Sequence, residues 1–356
     1  MNSDHFLQGA PFKKHKNNVS KFVKKLKERI KHQVEVHHHD IKKKDDKKKD
    51  DKKKDDKKTA IVQHEYNFAD EGDNKRIDFN FAAVGDFGCS KNAENTVSNM
   101  EDKKPELVLP LGDLSYDKSA NCWLDLISPF SNELKVTLGF HDVNDGAPKM
   151  NQYNDTFNMK EPFGSFDYRH VHFVTMSSES EYQPGSAQYN FISDDLKKAS
   201  ENKDIDWIVV TTYGPFYTSP STHKAEKVLR DNYHPLFEKY DVDLVLQAHN
   251  HNYQRTYPIS YNSAGDSANP IVKNQNMTGY NNDTKGTIFA IVGTGGESFY
   301  PLASQAPYVA NQIGGKFGFL DVDISNGNPH TKLTGTFYDN KGGEVADQFT
   351  IDKEIK

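Results

Sequence analysis

Residues 247–255 read Gln247-Ala248-His249-Asn250-His251-Asn252-Tyr253-Gln254-Arg255, directly after the apolar run Asp243 to Leu246. A turn that closes a strand-length run and carries two histidines one residue apart puts two imidazoles at one place. Three earlier runs end in a related way. Asp78 to Val84 is followed by Gly85-Asp86-Phe87-Gly88, Glu106 to Leu111 by Gly112-Asp113-Leu114-Ser115-Tyr116, and Leu134 to Leu138 by Gly139-Phe140-His141-Asp142. Ligand sites of α/β sheets lie outside the carboxyl ends of strands, and glycine lets the chain bend sharply there. Four loops bearing acids and histidines are therefore expected to converge.

Asp86, Asp113, His249 and His251 offer hard oxygen and borderline nitrogen donors, the mix that suits zinc, iron or manganese. Each alone has an ordinary reading, since an Asp after Gly is commonly a turn or cap residue and a single His a satisfied surface or core group. Four such turns, each closing a strand-length run, make coincidence a poor explanation.

Further strand-like runs lie at Val171 to Met176, Trp207 to Thr212 and Thr287 to Val292, with helical patterns at Asn92 to Met100, Ser193 to Asn202 and Lys224 to Tyr240. This alternation is α/β order. Phe317 to Ile324, Lys332 to Tyr338 and Val345 to Ile351, parted by Asn-Gly and Lys-Gly-Gly turns, read as consecutive antiparallel strands. The expected fold class is α/β, a sandwich of two mixed sheets flanked by helices, spanning residues 78–356.

The chain of 356 residues carries 45 Lys or Arg against 51 Asp or Glu, a net charge of −6. Residues 1–58 hold 20 basic and 10 acidic side chains, net +10, which leaves 25 against 41, net −16, for residues 59–356. A nucleic-acid partner is not expected of so acidic a domain. Residues 42–58 repeat KKKDD three times without an apolar side chain and read as a disordered, solvated arm, with residues 59–77 a linker. Within residues 19–36, Val19, Phe22, Val23, Leu26, Ile30 and Val34 fall at spacings of three and four among lysines, drawing a basic amphipathic helix. It suits an anionic membrane surface or a protein partner, or a helix packed on the domain. His37, His38 and His39 receive no role. No signal peptide or membrane span is visible, so the compartment is left open, cytoplasmic by default.

Cys89 and Cys122 exclude a four-Cys metal site and a disulfide-rich scaffold. Both fall on loops bordering the converging turns, where a rim disulfide and two half-buried thiols stand as alternatives. Asn154, Asn276 and Asn282 each begin an Asn-X-Thr triplet and are read as loop residues.

Gly85-Asp86-Phe87-Gly88, Gly112-Asp113 through Tyr116, and Ala248-His249 through Arg255 resemble the GDxG, GDxxY and GHxHxYxR motifs of the calcineurin-like metallophosphoesterases. The Tyr of the second motif is similar to that of the purple acid phosphatase branch, and the resemblance covers about residues 78–352. It implies a two-metal centre in which Asp86, Asp113, Tyr116 and His251 hold a first metal, iron, while Asp113 bridges to a second, zinc, manganese or iron, that His249 also holds. It further implies hydrolysis of small phosphate monoesters at acidic pH by a metal-held hydroxide, with His141 contacting phosphate and His223 protonating the leaving alkoxide. Members of the family are often secreted.

Two positions depart from the pattern. The family's second-metal Asn is Phe140 here, without a lone pair, and its second-metal His is Tyr213, a ligand only as phenolate. A weakened second site is therefore expected, with Asp142, Asn144 or Asp145 as replacement donors. The competing expectation is a one-metal or inactive scaffold docked through its basic arm.

Overall fold

A computed structural model describes residues 76–281 and 284–355. The expectations for the basic helix, the KKKDD arm and residues 59–75 lie outside the described residues, as does the Asn282 triplet. The first sheet runs β10 (Gly279–Tyr280), β15 (Val345–Glu354), β14 (His330–Asp339), β13 (Gly318–Asn326), β1 (Phe79–Val84) and β2 (Leu107–Pro110). The second runs β12 (Val309–Ile313), β7 (Tyr253–Thr256), β11 (Ile288–Val292), β6 (Leu244–Gln247), β5 (Trp207–Thr211), β4 (Val171–Thr175) and β3 (Gly164–Tyr168). A short pair, β8 (Ile259–Ser260) and β9 (Ile271–Val272), stands apart from both.

Both large sheets are mixed. β1 pairs parallel with β2 and antiparallel with β13, while β4, β5, β6 and β11 are parallel neighbours and β7 runs against β11. The sheets share a core, with Phe81 and Phe173 in contact edge to face at 5.3 Å and Tyr253 stacked on Phe337 at 4.2 Å. β5 is buried at every position and reads as a continuous apolar run because it is covered on both faces. Helices α5 (Ala187–Glu201) and α6 (Lys227–Lys239) cover the second sheet through Ile192, Leu196, Leu229, Tyr233 and Phe237. Helix α1 (Lys91–Lys103) packs beside β13 through Ala93, Val97 and Met100, its first turn capped by the Ser90 hydroxyl. The mixed α/β sandwich expected from the sequence is the observed architecture.

Some expected boundaries move for identifiable reasons. Residues 134–138 make only isolated bridges to the β2 edge and no strand. Thr137 donates to the Pro110 carbonyl, but Pro110 has no N–H to donate in return, so that ladder stays open. Helix α5 begins at Ala187, earlier than the periodicity suggests, because the Ser186 hydroxyl accepts from the Tyr189 N–H. The third turn is the start of a short helix, α3 (Phe140–Asn144), after α2 (Asn121–Leu126). Asn154 lies inside α4 (Ala147–Phe157), with Thr156 buried, and not in a loop. Among the described residues no helix is long and apolar enough to cross a membrane.

Candidate metal centre

The loops that follow β1, β2, β5, β6 and β11 come together where the two sheets meet. Asp86, Asp113 and His249 all adopt the left-handed backbone, at φ 56°, 48° and 72°. That conformation costs an L-residue about 1–2 kcal/mol. The other described non-glycine residues with positive φ are Lys104, Asn158, Arg169 and Asp241, of which Lys104 and Asn158 are helix C-caps. At the centre the strain is held by cross-loop bonds: Asp86 N–H donates to Gly112 O at 3.0 Å, Phe87 N–H to Asp113 O at 3.1 Å, and His249 N–H to Asp86 Oδ2 at 2.9 Å. These turns aim side chains that ordinary turns would direct elsewhere.

One group of donors closes tightly. The Tyr116 hydroxyl lies 3.1 Å from Asp86 Oδ1 and 3.0 Å from His251 Nε2, and those two atoms are 3.4 Å apart. His251 Nδ1 donates to the Ser298 carbonyl, which leaves Nε2 as a bare lone pair. Three lone-pair groups thus face one another over a single phenol proton. Burial opposes charge on His251, but the Asp86 carboxylate and the Ser298 carbonyl outweigh it and raise its pKa. Burial, followed by the fields of Asp86 and Asp113, holds the Tyr116 phenol far above its ordinary value. A site short of positive charge and lined by O, O and N donors fits a cation such as iron.

Asp113 faces another way. Its Oδ1 accepts from the His141 N–H at 2.8 Å and its Oδ2 from the Tyr213 hydroxyl, while His249 Nδ1 sits 2.6 Å from that hydroxyl. Burial, then repulsion from Asp86 and Asp142, pushes the Asp113 carboxyl up to about 9. Burial brings His249 down to about 4. Among the described residues, the group of three His, Cys, Asp or Glu donors lying within 4.8 Å of one another is Cys89, Asp117 and Cys122. Its sulfurs are joined in the Cys89–Cys122 disulfide, with a Cα separation of 6.0 Å, so it is a rim staple and not an ion site. Asp113 therefore stands beside the Asp86–Tyr116–His251 group without closing on it.

His141 is part-exposed on α3, its ring 4.5 Å from that of Tyr116 and its Nδ1 3.0 Å from Asp145. His223 stacks on His249 at 3.7 Å, and burial lowers its pKa. Phe140 is 48 % exposed and meets the His141 ring edge-on. The expected replacement donors are engaged elsewhere. Asp142, fully buried, accepts from the N–H groups of Leu114 and Gly139; Asn144 donates to Glu179; Asp145 binds His141 and Lys149. Recruiting Asp142 would strand two buried donors at about 1–3 kcal/mol each.

Sequence reasoning missed three participants. Asn250, buried between the two histidines, accepts from the His223 N–H and donates to its carbonyl, both at 3.0 Å. Tyr300 stacks on His251 at 3.8 Å, and Ser298 fixes that ring's tautomer. The alternation of Asn with His in 249–252 was the available signal for Asn250; Ser298 and Tyr300 lie in a loop with no motif.

Residues 79–253 match the family model for calcineurin-like phosphoesterase. The chain is 27 % identical over 216 residues to probable purple acid phosphatase 20 of Arabidopsis thaliana, covering 54 % of this chain and 50 % of that protein. It is 28 % identical over 197 residues to probable inactive purple acid phosphatase 24 of the same plant, covering 53 % and 30 %. In architecture it is similar to the purple acid phosphatase PPD1 from seeds of yellow lupin, Lupinus luteus, with a TM-score of 0.68 at 21 % identity over 79 % of this chain and 55 % of that one. The chain thus spans about half or less of the length of the two Arabidopsis relatives and 55 % of the lupin protein. Strand order, converging loops and family match agree: over residues 79–253 the chain is similar to the calcineurin-like phosphoesterases, and the relatives it resembles are purple acid phosphatases by name.

Proposed function

We propose that the chain hydrolyses small phosphate monoesters at a metal centre whose first ion, iron, is held by Asp86, Tyr116 and His251 with Asp113 alongside. The observation that carries this reading is the convergence of a carboxylate, a phenol and an imidazole within 3.4 Å of one another, a buried donor set that suits a cation. When bound, such an ion withdraws charge from the phosphoryl group and acidifies a water beside it.

The chain's own residues do the rest. His141, part-exposed and steadied by Asp145, is placed to bind a phosphate oxygen. His223, clamped through its backbone by Asn250 and through its ring by His249, makes no hydrogen bond through its ring nitrogens among the described residues. As water adds to phosphorus and the ester P–O bond breaks, the leaving oxygen takes a proton from the protonated His223 ring, and the proton given up by the attacking water restores it. Tyr300 over His251 keeps bulk water off that face of the centre.

The test is turnover of p-nitrophenyl phosphate by iron-loaded protein. Hydrolysis is expected, lost in Asp113→Ala, together with a visible absorption band that disappears in Tyr116→Phe. Iron-loaded, folded protein with the band but no turnover of any ester would favour the second reading, a non-catalytic relative that docks through residues 19–36. Phe140, Tyr213 and the likeness to a relative named inactive are what recommend it. Liposome binding unchanged by deleting residues 1–58 would remove the membrane form of that reading.

A further inference from the structure

The two halves of the centre differ in how their donors are satisfied, and the difference bears on how many ions the chain holds. Around Asp86, Tyr116 and His251 one proton serves three acceptors. Around Asp113 and His249 the facing atoms are already bonded. The Tyr213 hydroxyl donates to Asp113 Oδ2 and lies 2.6 Å from His249 Nδ1, so one phenol engages both facing groups at once. The chain His249 to Tyr213 to Asp113 is a completed run of hydrogen bonds, and the remaining Asp113 oxygen is taken by the His141 N–H.

The Tyr213 ring is also built in. It is 2 % exposed and occupies space that two glycines leave open: a Cβ on Gly112 would come within 2.7 Å of Tyr213 Cδ2, and one on Gly139 within 2.8 Å. The side chains of the neighbouring turn are not free to displace it, since Phe140 turns to solvent and Asp142, Asn144 and Asp145 hold other partners.

We infer that the Tyr213 hydroxyl takes the place of the second metal, so that the loaded protein carries one ion per chain, held on the Asp86–Tyr116–His251 side. This deepens the proposed function and rests on its assignment of that trio as the first-metal ligands. A second ion would have to break both Tyr213 hydrogen bonds and then find a phenol, a carboxylate and an imidazole in place of the four protein ligands a two-metal phosphatase supplies.

The experiment loads full-length protein with ferric ion, then zinc, and measures metal per chain by elemental analysis alongside the visible band. One equivalent with the band in the native chain, rising to two in the Phe140→Asn, Tyr213→His double variant, is expected. Two equivalents in the native chain overturn the inference and leave the functional reading standing. No metal and no band overturn that reading itself. A double variant that is folded by circular dichroism yet still binds one ion also overturns the inference. If the double variant does not fold, Tyr213→Ala replaces it. Release of Asp113 and His249 is then expected to admit a weaker second zinc, and its absence counts against the proposal in the same way.

Discussion

Asn250 sits between the two histidines of the 247–253 turn and binds neither ring; its buried amide brackets the backbone of His223, 27 residues earlier, and also donates to Thr218. Asn250→Ala removes three hydrogen bonds and leaves buried groups unpaired. A loss of about 2–3 kcal/mol in thermal or urea unfolding is expected, and turnover of p-nitrophenyl phosphate should fall through kcat with KM little changed, because His223 loses its fixed position. Equal kcat in native and variant protein would show that His223 has no part in proton transfer. At this scale the sequence singles out Asp86, Asp113, Tyr116, His249 and His251 as candidates, since each rides on a short turn with its motif around it. It does not disclose what Tyr213 does. A tyrosine in a ligand's place reads equally as donor or plug, and only the geometry of its hydroxyl, bonded to Asp113 and His249, separates the two.

Among elements, the runs that became β1, β2, β4, β5, β6 and β11 were legible because they are buried on both faces and nearly free of polar residues. Residues 134–138 look the same in composition, but the missing N–H of a neighbouring proline decides their state, and no local pattern carries that. The Cys89–Cys122 bridge joins the loop after β1 to α2 across 33 residues of chain. Replacing both cysteines by serine is expected to cost about 3–4 kcal/mol of stability, read from denaturant midpoints of native and variant protein without reductant. A second link, between β3, β4 and α5, responds to pH. Burial opposes charge on His172, yet hydrogen bonds to Asp167 and Asp195 hold its pKa up at about 9. The folded value exceeds the unfolded one, so the stabilisation is complete below pH ~6.5 and fades as pH rises through 9, by about 3 kcal/mol. His172→Gln should flatten that slope; an unaltered slope would place the titrating group elsewhere.

Over the whole molecule the sheets are tied at a distance from the centre by Arg255 on β7, which binds Asp347 on β15 in a two-pronged ion pair at 2.7 and 3.1 Å, with Tyr253 donating to the same carboxylate. The last residue of the motif that begins at Ala248 is thus a structural cross-tie. Asp347→Ala, which strands a buried guanidinium, is expected to cost about 3–5 kcal/mol while the activity of each folded molecule and its visible band persist. Loss of the band at full folding would contradict the separation of the two roles.

The centre itself belongs to neither sheet. Asp86 and Tyr116 follow strands of the first, His251 follows a strand of the second, and the closest of their atoms meet across the seam. An ion seated there would act as a rivet through two plates, so that stripping it with a chelator loosens the grip of one plate on the other as well as silencing any chemistry. At a free iron concentration a hundred times its dissociation constant the rivet is worth about 2.7 kcal/mol, and the melting temperature should drop accordingly when the ion is withdrawn.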